Sequence, residues 1–564
     1  MAEKLIVIGG TAAGLSAASR ARKEKPDMEI QVFEKSGFVS YGDCGLPYFV
    51  GGLIHDINDL VAINAESLKS RRNISAWIHH EVLLIDPEKK EVTVKNLDTD
   101  QVSIHSYDKL VIATGAVPVV PPIPGIHSDG VYYLRNMEDG IRLKAAAREH
   151  GRVCIIGGGA IGLEAAEELR NAGLSVSVYE QFPRLLPFLD NAFSQTLEDT
   201  LIKHGINVRT GTQIAEILSE NGKASGIRTA FGEIEPSDII LVSAGVKPAG
   251  ALAEQAGLAL GLKGGIIVDD EMRTSHKDIW ACGDCVQMKN RITGKPAYVP
   301  LGTTANKQGR IIADNICGGD SRYLGSQGSS VIKVFDITAA TTGINETNAK
   351  KAGLDVDKVI LSPMSHAGYY PGGKLMTMKV VFEKGTCRLL GAQIVGYEGV
   401  DKRIDVLAAA IHAGVRATQL KNLDLAYAPP YSSAKDPVNI AGFMIDNIAN
   451  GTMKQWYLED VDHLPRDGSA ILLDVRTPDE YAGGHMEGFG NIPLDDLRDR
   501  LDEIEPGKPV YVTCQSGLRS YIACRILEAN GHEAYNFAGG FRFYDAVTND
   551  RALVERAMSC GMDK

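Results

Sequence analysis

Two strand–glycine loop–helix–strand units about 150 residues apart open this chain. After Val331 the pattern changes to alternating strands and helices without a phosphate loop, and an apolar run restarts at Ala470. Together these predict an α/β protein with two nested Rossmann-like nucleotide-binding domains, an α+β domain and a small C-terminal α/β domain.

The first unit reads as a strand over 4–8, a helix over 13–24 and a strand over 29–34. The second repeats this over 153–156, 161–172 and 175–180. Each first strand is an unbroken apolar run, as expected of a parallel strand covered on both faces. Further on, residues 375–382 read as a strand and 404–413 as a helix. Residues 450–468 are polar and aperiodic, with Asn450-Gly451, Pro465 and Gly468, and read as a linker. The expected boundaries are 1–116 and 250–325 for the first nucleotide domain, interrupted by 117–249 as the second. The α+β domain follows at 326–449, the linker at 450–467 and the last domain at 468–564.

A length of 564 residues exceeds what one core serves. The net charge of -12, with no basic stretch to offset it, argues against nucleic-acid and membrane-surface partners. No apolar run reaches membrane-spanning length, and Met1-Ala-Glu-Lys4 runs straight into a strand, so neither a span nor a secretory signal is expected. Nine scattered cysteines do not form a disulfide framework, and a reducing cytoplasm fits them. No metal site is expected.

Gly157-Gly-Gly-Ala-Ile-Gly162 is a complete G-x-G-x-x-G between strand and helix. Gly157 permits the tight turn, Gly159 lets the backbone approach a pyrophosphate, and Gly162 lets helix and strand pack closely. Glu180, ending the second strand, is placed to accept hydrogen bonds from a ribose and to repel a 2′-phosphate. NADH is therefore favoured, with NADPH left open by nearby Arg184. The first loop, Gly9-Gly10-Thr11-Ala12-Ala13-Gly14, has Thr where the middle glycine belongs and is followed by Glu34.

With Ile112-Ala113-Thr114-Gly115 and Ile279-Trp-Ala-Cys-Gly283-Asp284, the chain resembles the FAD-dependent pyridine nucleotide–disulfide reductases over about residues 1–440. The resemblance implies FAD held by Gly9, Gly10, Ala13, Gly14, Glu34, Lys35, Ala113, Thr114, Gly115, Gly283, Asp284 and Lys435. It assigns NAD to Gly157, Gly159, Gly162, Glu180 and Gly245, and implies a C-terminal dimerisation domain, hence a homodimer.

Cys44 lies in Ser40-Tyr-Gly-Asp43-Cys44-Gly-Leu-Pro-Tyr48, and no second cysteine follows within a hundred residues. A reductase that keeps a disulfide beside its flavin needs two. With one, the partner must be a small-molecule thiol or an oxygen. Of the single-cysteine subgroups, NADH peroxidases and water-forming NADH oxidases carry a His in the first glycine loop, where Ala12 stands here. The coenzyme A disulfide reductases lack it, and this chain resembles them in the Cys44 loop and in His366-Ala-Gly-Tyr369-Tyr-Pro371 and Ala426-Tyr427-Ala-Pro-Pro-Tyr431. That resemblance implies that Tyr369 and Tyr427 reach the cysteine of the other protomer, Tyr427 protonating the leaving thiolate. It also assigns Ser16, Arg20, Ser40, Arg72 and Asn306 to bound coenzyme A. Arg20, Arg22, Lys23, Arg71 and Arg72 form two basic clusters suited to its phosphates. One departure stands out: the subgroup's Asn before the cysteine is Asp43 here. A carboxylate there raises the thiol pKa unless a cation neutralises it. Cys282 and Cys285 have redox spacing but overlap the flavin motif and are expected only to pack. Cys154, Cys317, Cys387, Cys524 and Cys560 are expected to be structural.

Near the C-terminus, Leu473-Asp474-Val-Arg476, Gly484-His485 and Tyr511-Val-Thr-Cys514-Gln-Ser-Gly-Leu-Arg519-Ser520 resemble a rhodanese (sulfurtransferase) domain over 468–548. A loop between strand and helix turns amide N–H groups inward and favours a thiolate or persulfide at Cys514. Arg519 would close the loop and attract an anionic sulfur donor. Four residues separate Cys514 from Arg519, one fewer than a phosphatase loop has, which suits sulfur over phosphate. The expected activity is an NAD(P)H-dependent coenzyme A persulfide or polysulfide reductase. In it Cys514 carries sulfane sulfur from a small-molecule donor, and Cys44 is the redox thiol. Coenzyme A disulfide reduction for thiol balance and NADH oxidation are the alternatives.

Overall fold

The computed structural model describes residues 2–149 and 151–548. Cys560 lies outside them. The chain divides into two compact units: 1–183 with 205–326, and 184–204 with 327–564.

The first unit holds two five-stranded parallel sheets. In one the order is Ile279–Ala281, Lys109–Ile112, Lys4–Ile8, Glu29–Phe33, Ser75–Trp77. In the other it is Asn207–Arg209, Ser175–Tyr179, Arg152–Ile156, Ile239–Val242, Val131–Tyr132. Leu5, Ile6 and Val7 are fully buried, as are Ile239, Ile240 and Leu241, in keeping with helices on both faces. The helices Ala12–Glu24 and Ala160–Asn171 start directly after the two glycine loops. Both begin a residue earlier than the sequence predicts, because the loop glycines close the turn tightly. Gly9 (φ +107°) and Gly157 (φ +118°) occupy the left-handed region, and a Cβ there would lie 2.2 Å from the carbonyl oxygens of Ala113 and Ser243.

The second unit contains an antiparallel sheet, Ser330–Val334, Ile337–Gly343, Leu389–Gly396, Met376–Glu383, Val356–Leu361, with the helix Val400–Ala413 against it. The helix Asn191–Lys203, expected within the second nucleotide domain, belongs to this unit instead. Lys379 Nζ binds Asp190 Oδ2 at 2.5 Å just before that helix, and Asp190 N donates to Gln393 Oε1 (2.9 Å). The remainder is a parallel sheet, Gln455–Trp456, Ala534–Phe537, Val510–Thr513, Ile471–Asp474, Gly490–Asn491.

The stretch read as a linker is corrected here. Residues 455–456 form an edge strand of the C-terminal sheet, and Trp456 is buried. Its indole stacks on Phe537 with ring centroids 4.2 Å apart and donates to Val512 O at 3.2 Å. The segment also joins the two sheets of the unit. Tyr457 donates to Asp357, and Lys358 Nζ binds Glu459 and Glu346, the latter at 2.9 Å. Short polar sequence hid a strand whose stability comes from tertiary pairing. We expect Trp456→Ala to lower the unfolding free energy of the C-terminal domain by about 3–5 kcal/mol, measured by denaturant titration of the full chain.

Candidate functional site

In the first unit the two acids act first as braces. Glu34 accepts from Gly10 N (2.8 Å) and Ser36 N (2.9 Å), and Glu180 from Gly158 N (2.7 Å) and Phe182 N (2.8 Å). Each ties its glycine loop to the end of the second strand and keeps lone pairs for a ribose hydroxyl. Gly14 and Gly162 pack on the carbonyls of Gly9 and Gly157, where a Cβ would lie 2.0 and 2.3 Å away. Gly159 has nothing within 4 Å, which is the open approach a pyrophosphate requires. These loops therefore fit two dinucleotides. Ala113 is buried, with its N donating to Ile8 O (2.8 Å), and Thr114 Oγ1 donates to Ala249 O (2.8 Å). Gly115 (φ +69°) lies beside Arg135, and Gly283 N donates to Gln308 Oε1 at 2.8 Å. Lys35 is exposed. A small cavity is lined by Pro118, Arg135, Ile161, Ser243 and Gly245, which brings Gly245 of the nucleotide set beside Arg135. Arg184 is turned to Pro187 O at 3.3 Å.

Cys44 occupies the single turn Asp43–Gly45, ahead of the helix Leu46–Gly51, and is exposed. The residue that sequence reading missed is Arg135. Its Nη1 donates to Asp43 Oδ2 at 2.7 Å, its Nη2 lies 3.6 Å from Asp284 Oδ2, and its Nε donates to Ala116 O at 3.1 Å. The cation that Asp43 calls for is thus present. Dehydration of its surroundings still raises the Cys44 pKa, assisted by Asp43, Glu164 and Asp284 and opposed by Arg135. Glu164 is itself pushed up to about 7 by burial, with Glu167 adding to it. Cys282 and Cys285 are fully buried and are not bonded to each other, with Cys285 Sγ on Cys282 O at 3.2 Å, so both pack in the interior.

Most residues assigned to coenzyme A gather along the helix Ala12–Glu24. Ser16 Oγ donates to Asn306 Oδ1 (2.6 Å), and Arg72 Nη1 donates to Ser19 Oγ (3.1 Å). Ser40 has a left-handed φ of 52°, and its N donates to Gly10 O. Arg20 pairs with Asp314 at 2.6 Å and Glu24 at 2.7 Å, so a phosphate would have to share it. Arg22 does not serve as a free cation: it donates to the carbonyls of Pro26, Arg72 and Asn73.

In the second unit Tyr369 and Tyr427 meet hydroxyl to hydroxyl at 2.8 Å, both exposed. That hydrogen bond is the main cause raising the Tyr427 pKa. Their loops hang from Arg403, which is 1% exposed and was not found from sequence. Its guanidinium donates to Ser365 O (3.0 Å), Tyr431 O (3.2 Å), Ser432 Oγ (3.0 Å) and Asp436 Oδ2 (3.2 Å). Asp436 in turn caps the helix Pro437–Ala449 by accepting from Val438 N. Lys435, one residue earlier, is exposed.

Cys514 follows the strand Val510–Thr513 and is fully buried. Its sulfur accepts from Gly517 N at 3.1 Å and lies 3.3 Å from Ser520 Oγ. Gly517 (φ +99°) turns that amide inward ahead of the helix Leu518–Ala529. Arg519 lies at the end of the loop, and both its terminal nitrogens donate to Glu480, at 2.8 and 2.7 Å. An anionic donor would have to share Arg519 with Glu480, as a phosphate would share Arg20 with Asp314. Arg476 is likewise paired with Asp474 at 2.7 Å.

Residues 3–309 match the pyridine nucleotide-disulphide oxidoreductase family model, 329–437 its dimerisation domain, and 457–546 the rhodanese-like domain. The crystal structure of reduced Bacillus anthracis CoADR-RHD is similar at 38% identity and a TM-score of 0.95, covering 98% of this chain and 99% of that one. A NAD-dependent persulfide reductase from A. fulgidus is similar at 41% identity and a TM-score of 0.89, covering 96% and 100%. An NADH oxidase of Methanocaldococcus jannaschii is 36% identical over 442 residues, 78% of this chain and 97% of that protein.

Asp43→Asn removes a carboxylate beside the thiol and frees Arg135, so the Cys44 pKa falls. Alkylation of Cys44 at pH 7 is expected to speed up several-fold, its pH profile moving to lower pH. Arg403→Met leaves buried Asp436 with only the more distant Lys402 (3.8 Å) as its cation and strips the donors from the two loop carbonyls, and is expected to destabilise by about 3 kcal/mol in thermal or denaturant unfolding.

Proposed function

The chain belongs to the pyridine nucleotide-disulphide oxidoreductase family, and on that premise we propose that it reduces coenzyme A persulfide or polysulfide with NAD(P)H. The observation that carries this reading is the pairing of two cysteines on one chain. Cys44 is exposed with no second cysteine in its loop, and Cys514 is buried with the Gly517 amide and the Ser520 hydroxyl donating to its sulfur, an environment suited to a thiolate or persulfide. FAD, which the glycine loop at 9–14 and Glu34 would hold, would supply the transfer of reducing equivalents from nicotinamide to sulfur. The Cys44 thiolate attacks the coenzyme A sulfur of a persulfide, forming a mixed disulfide and releasing hydrosulfide. Two electrons from NAD(P)H then return Cys44 to the thiolate and free coenzyme A as its thiol. Overall, NADH, a proton and coenzyme A persulfide give NAD+, coenzyme A and hydrogen sulfide.

Within this scheme Arg135 limits the rise of the Cys44 pKa, so a thiolate is accessible. Ser16, Ser40, Arg72 and Asn306 bind the coenzyme, with Arg20 shared between a phosphate and Asp314. Glu180 favours NADH over NADPH. Tyr369 and Tyr427 serve Cys44 of a second protomer, Tyr427 protonating the departing thiolate, so the working form is a homodimer. The dimerisation-domain match supports that assembly. Cys514 takes sulfane sulfur from a small-molecule donor and passes it on to coenzyme A or Cys44. No helix among the described residues is long and apolar enough to cross a membrane; a cytoplasmic setting is part of this proposal.

The similarity to an NADH oxidase supports a second reading, reduction of oxygen; Ala12 in place of a His weighs against it. Anaerobic NADH consumption by the FAD-loaded protein separates them. Cys44→Ser should abolish turnover with every sulfur substrate. Cys514→Ser should remove most of the polysulfide-dependent rate and leave reduction of coenzyme A disulfide intact. Unchanged polysulfide turnover in Cys514→Ser would sink the sulfur relay, and rapid four-electron oxygen consumption would favour the oxidase.

A further inference from the structure

The Cys514 sulfur touches a hydroxyl whose single hydrogen has two claimants. Ser520 Oγ lies 3.3 Å from Cys514 Sγ and 2.6 Å from Asn536 Oδ1. Cys514 and Ser520 are fully buried and Asn536 is 1% exposed, so bulk solvent supplies no further donor. A serine hydroxyl carries one hydrogen and a carboxamide oxygen carries none. The hydroxyl therefore donates to the sulfur or to Asn536, and not to both at full strength. The carboxamide is held against turning over to offer its own hydrogens. Its Nδ2 faces Met453 Sδ at 3.7 Å, and the turned amide would set its oxygen against a thioether that has no hydrogen to give. Met453 is itself buried and comes from the stretch read as a linker.

Which claimant wins depends on the state of the sulfur. A neutral thiol can give its own hydrogen to Ser520 Oγ, and a chain then runs from S–H to O–H to the Asn536 carbonyl. A thiolate has no hydrogen to give and is the stronger acceptor, so the hydroxyl turns to it. That leaves the buried Asn536 oxygen without its donor, which is unfavourable. The Gly517 amide pulls the other way, since its N donates to the sulfur at 3.1 Å whatever the hydroxyl does. In a persulfide the charge lies on the outer sulfur. Sγ is then a weak acceptor again, and the hydroxyl returns to Asn536.

We propose that Asn536 is a positioning residue for sulfur transfer at Cys514, acting through Ser520. It holds the idle cysteine as a thiol, releases the hydroxyl to the attacking thiolate, and takes it back once the persulfide has formed. The inference rests on Cys514 being a sulfur carrier. In the step it serves, the thiol proton passes to solvent and the thiolate attacks the outer sulfur of an inorganic polysulfide. The S–S bond of the donor breaks, and its electron pair leaves with the shortened chain. The cysteine sulfur is oxidised, the chain is reduced, and total charge is conserved. Other charged and titratable groups meet the loop from the neighbouring elements. They are Arg476 with Asp474, Arg519 with Glu480, Arg542 at the start of the helix Gly540–Thr548, and Cys524 on the helix Leu518–Ala529. These are common to every variant below, so differences among the variants read the hydroxyl.

The test is a pH titration of the Cys514 thiolate in the full-length FAD-loaded protein, read as ultraviolet thiolate absorbance with the Cys514→Ser background subtracted. Asn536→Leu should lower the midpoint and raise the thiolate fraction below it about tenfold, whereas Ser520→Ala should raise the midpoint. Asn536→Asp, nearly the same in shape, should also raise it, since a buried carboxylate claims the hydroxyl more strongly and repels the thiolate. That variant carries the test should Asn536→Leu fail to fold. The decisive sample combines Ser520→Ala with Asn536→Leu. It should titrate as Ser520→Ala alone, because the carboxamide acts on the sulfur only through the hydroxyl. Loading of sulfane sulfur from polysulfide below the wild-type midpoint should quicken in Asn536→Leu in the same proportion, with no gain well above it. A midpoint unmoved in both Asn536 variants overturns the proposal, as does an Asn536→Leu shift that persists in full on the Ser520→Ala background. If wild type and Cys514→Ser take up equal sulfane sulfur, the sulfur-carrier reading fails. A titration that still shifts as described then leaves the hydrogen-bond relay standing, since it needs no donor.

Discussion

A reactive thiol set among carboxylates works only if a cation offsets them, and Arg135 is that cation. Asp43 adjoins Cys44, Asp284 lies across the site, and Arg135 stands between the two acids. Without it, three carboxylates and a dehydrated floor would all favour the neutral thiol. The nucleotide loops that frame the site depend on the same economy of charge: each acid that could receive a ribose hydroxyl already braces its glycine loop. The residues that position a ligand are therefore also those that keep the empty site in shape.

The second unit applies the rule in its interior. Arg403 gathers two loop carbonyls, a hydroxyl and the capping carboxylate of Asp436, and so sets the tyrosine pair. Elsewhere Lys358 and Lys379 share Glu346, whose carboxyl they hold well below the usual range against the opposing effect of burial. Lys358 reaches on to Glu459, so this network spans the antiparallel sheet and the segment leading into the C-terminal domain. Buried ions of this kind are poor sources of net stability but strict about geometry, since each must find its partner.

Much of the fold was legible because its signals are local. The glycine loops require particular φ angles and close backbone approach, so their residues are fixed by sterics and visible as spacing. The same holds for the Cys514 loop, where the left-handed Gly517 turns its amide onto the sulfur in a short strand-to-helix turn. What escaped were long-range partners. Arg135 is 92 residues from Asp43, and Arg403 is 33 residues from Asp436. The strand at 455–456 has no period to reveal it, because its pairing and the burial of Trp456 are supplied by residues some eighty positions later.

The sequence by itself determined two dinucleotide loops, one cysteine where a disulfide would need two, and a second cysteine at the head of a sulfur-binding turn. These are properties of short segments, where backbone geometry and residue type coincide. Only the tertiary structure decided which cation neutralises Asp43, that Arg519 is already paired with Glu480, and that Arg403 holds the loops of the tyrosine pair. Charge balance is a matter of distance in space, and distance between residues far apart in the chain is set by packing.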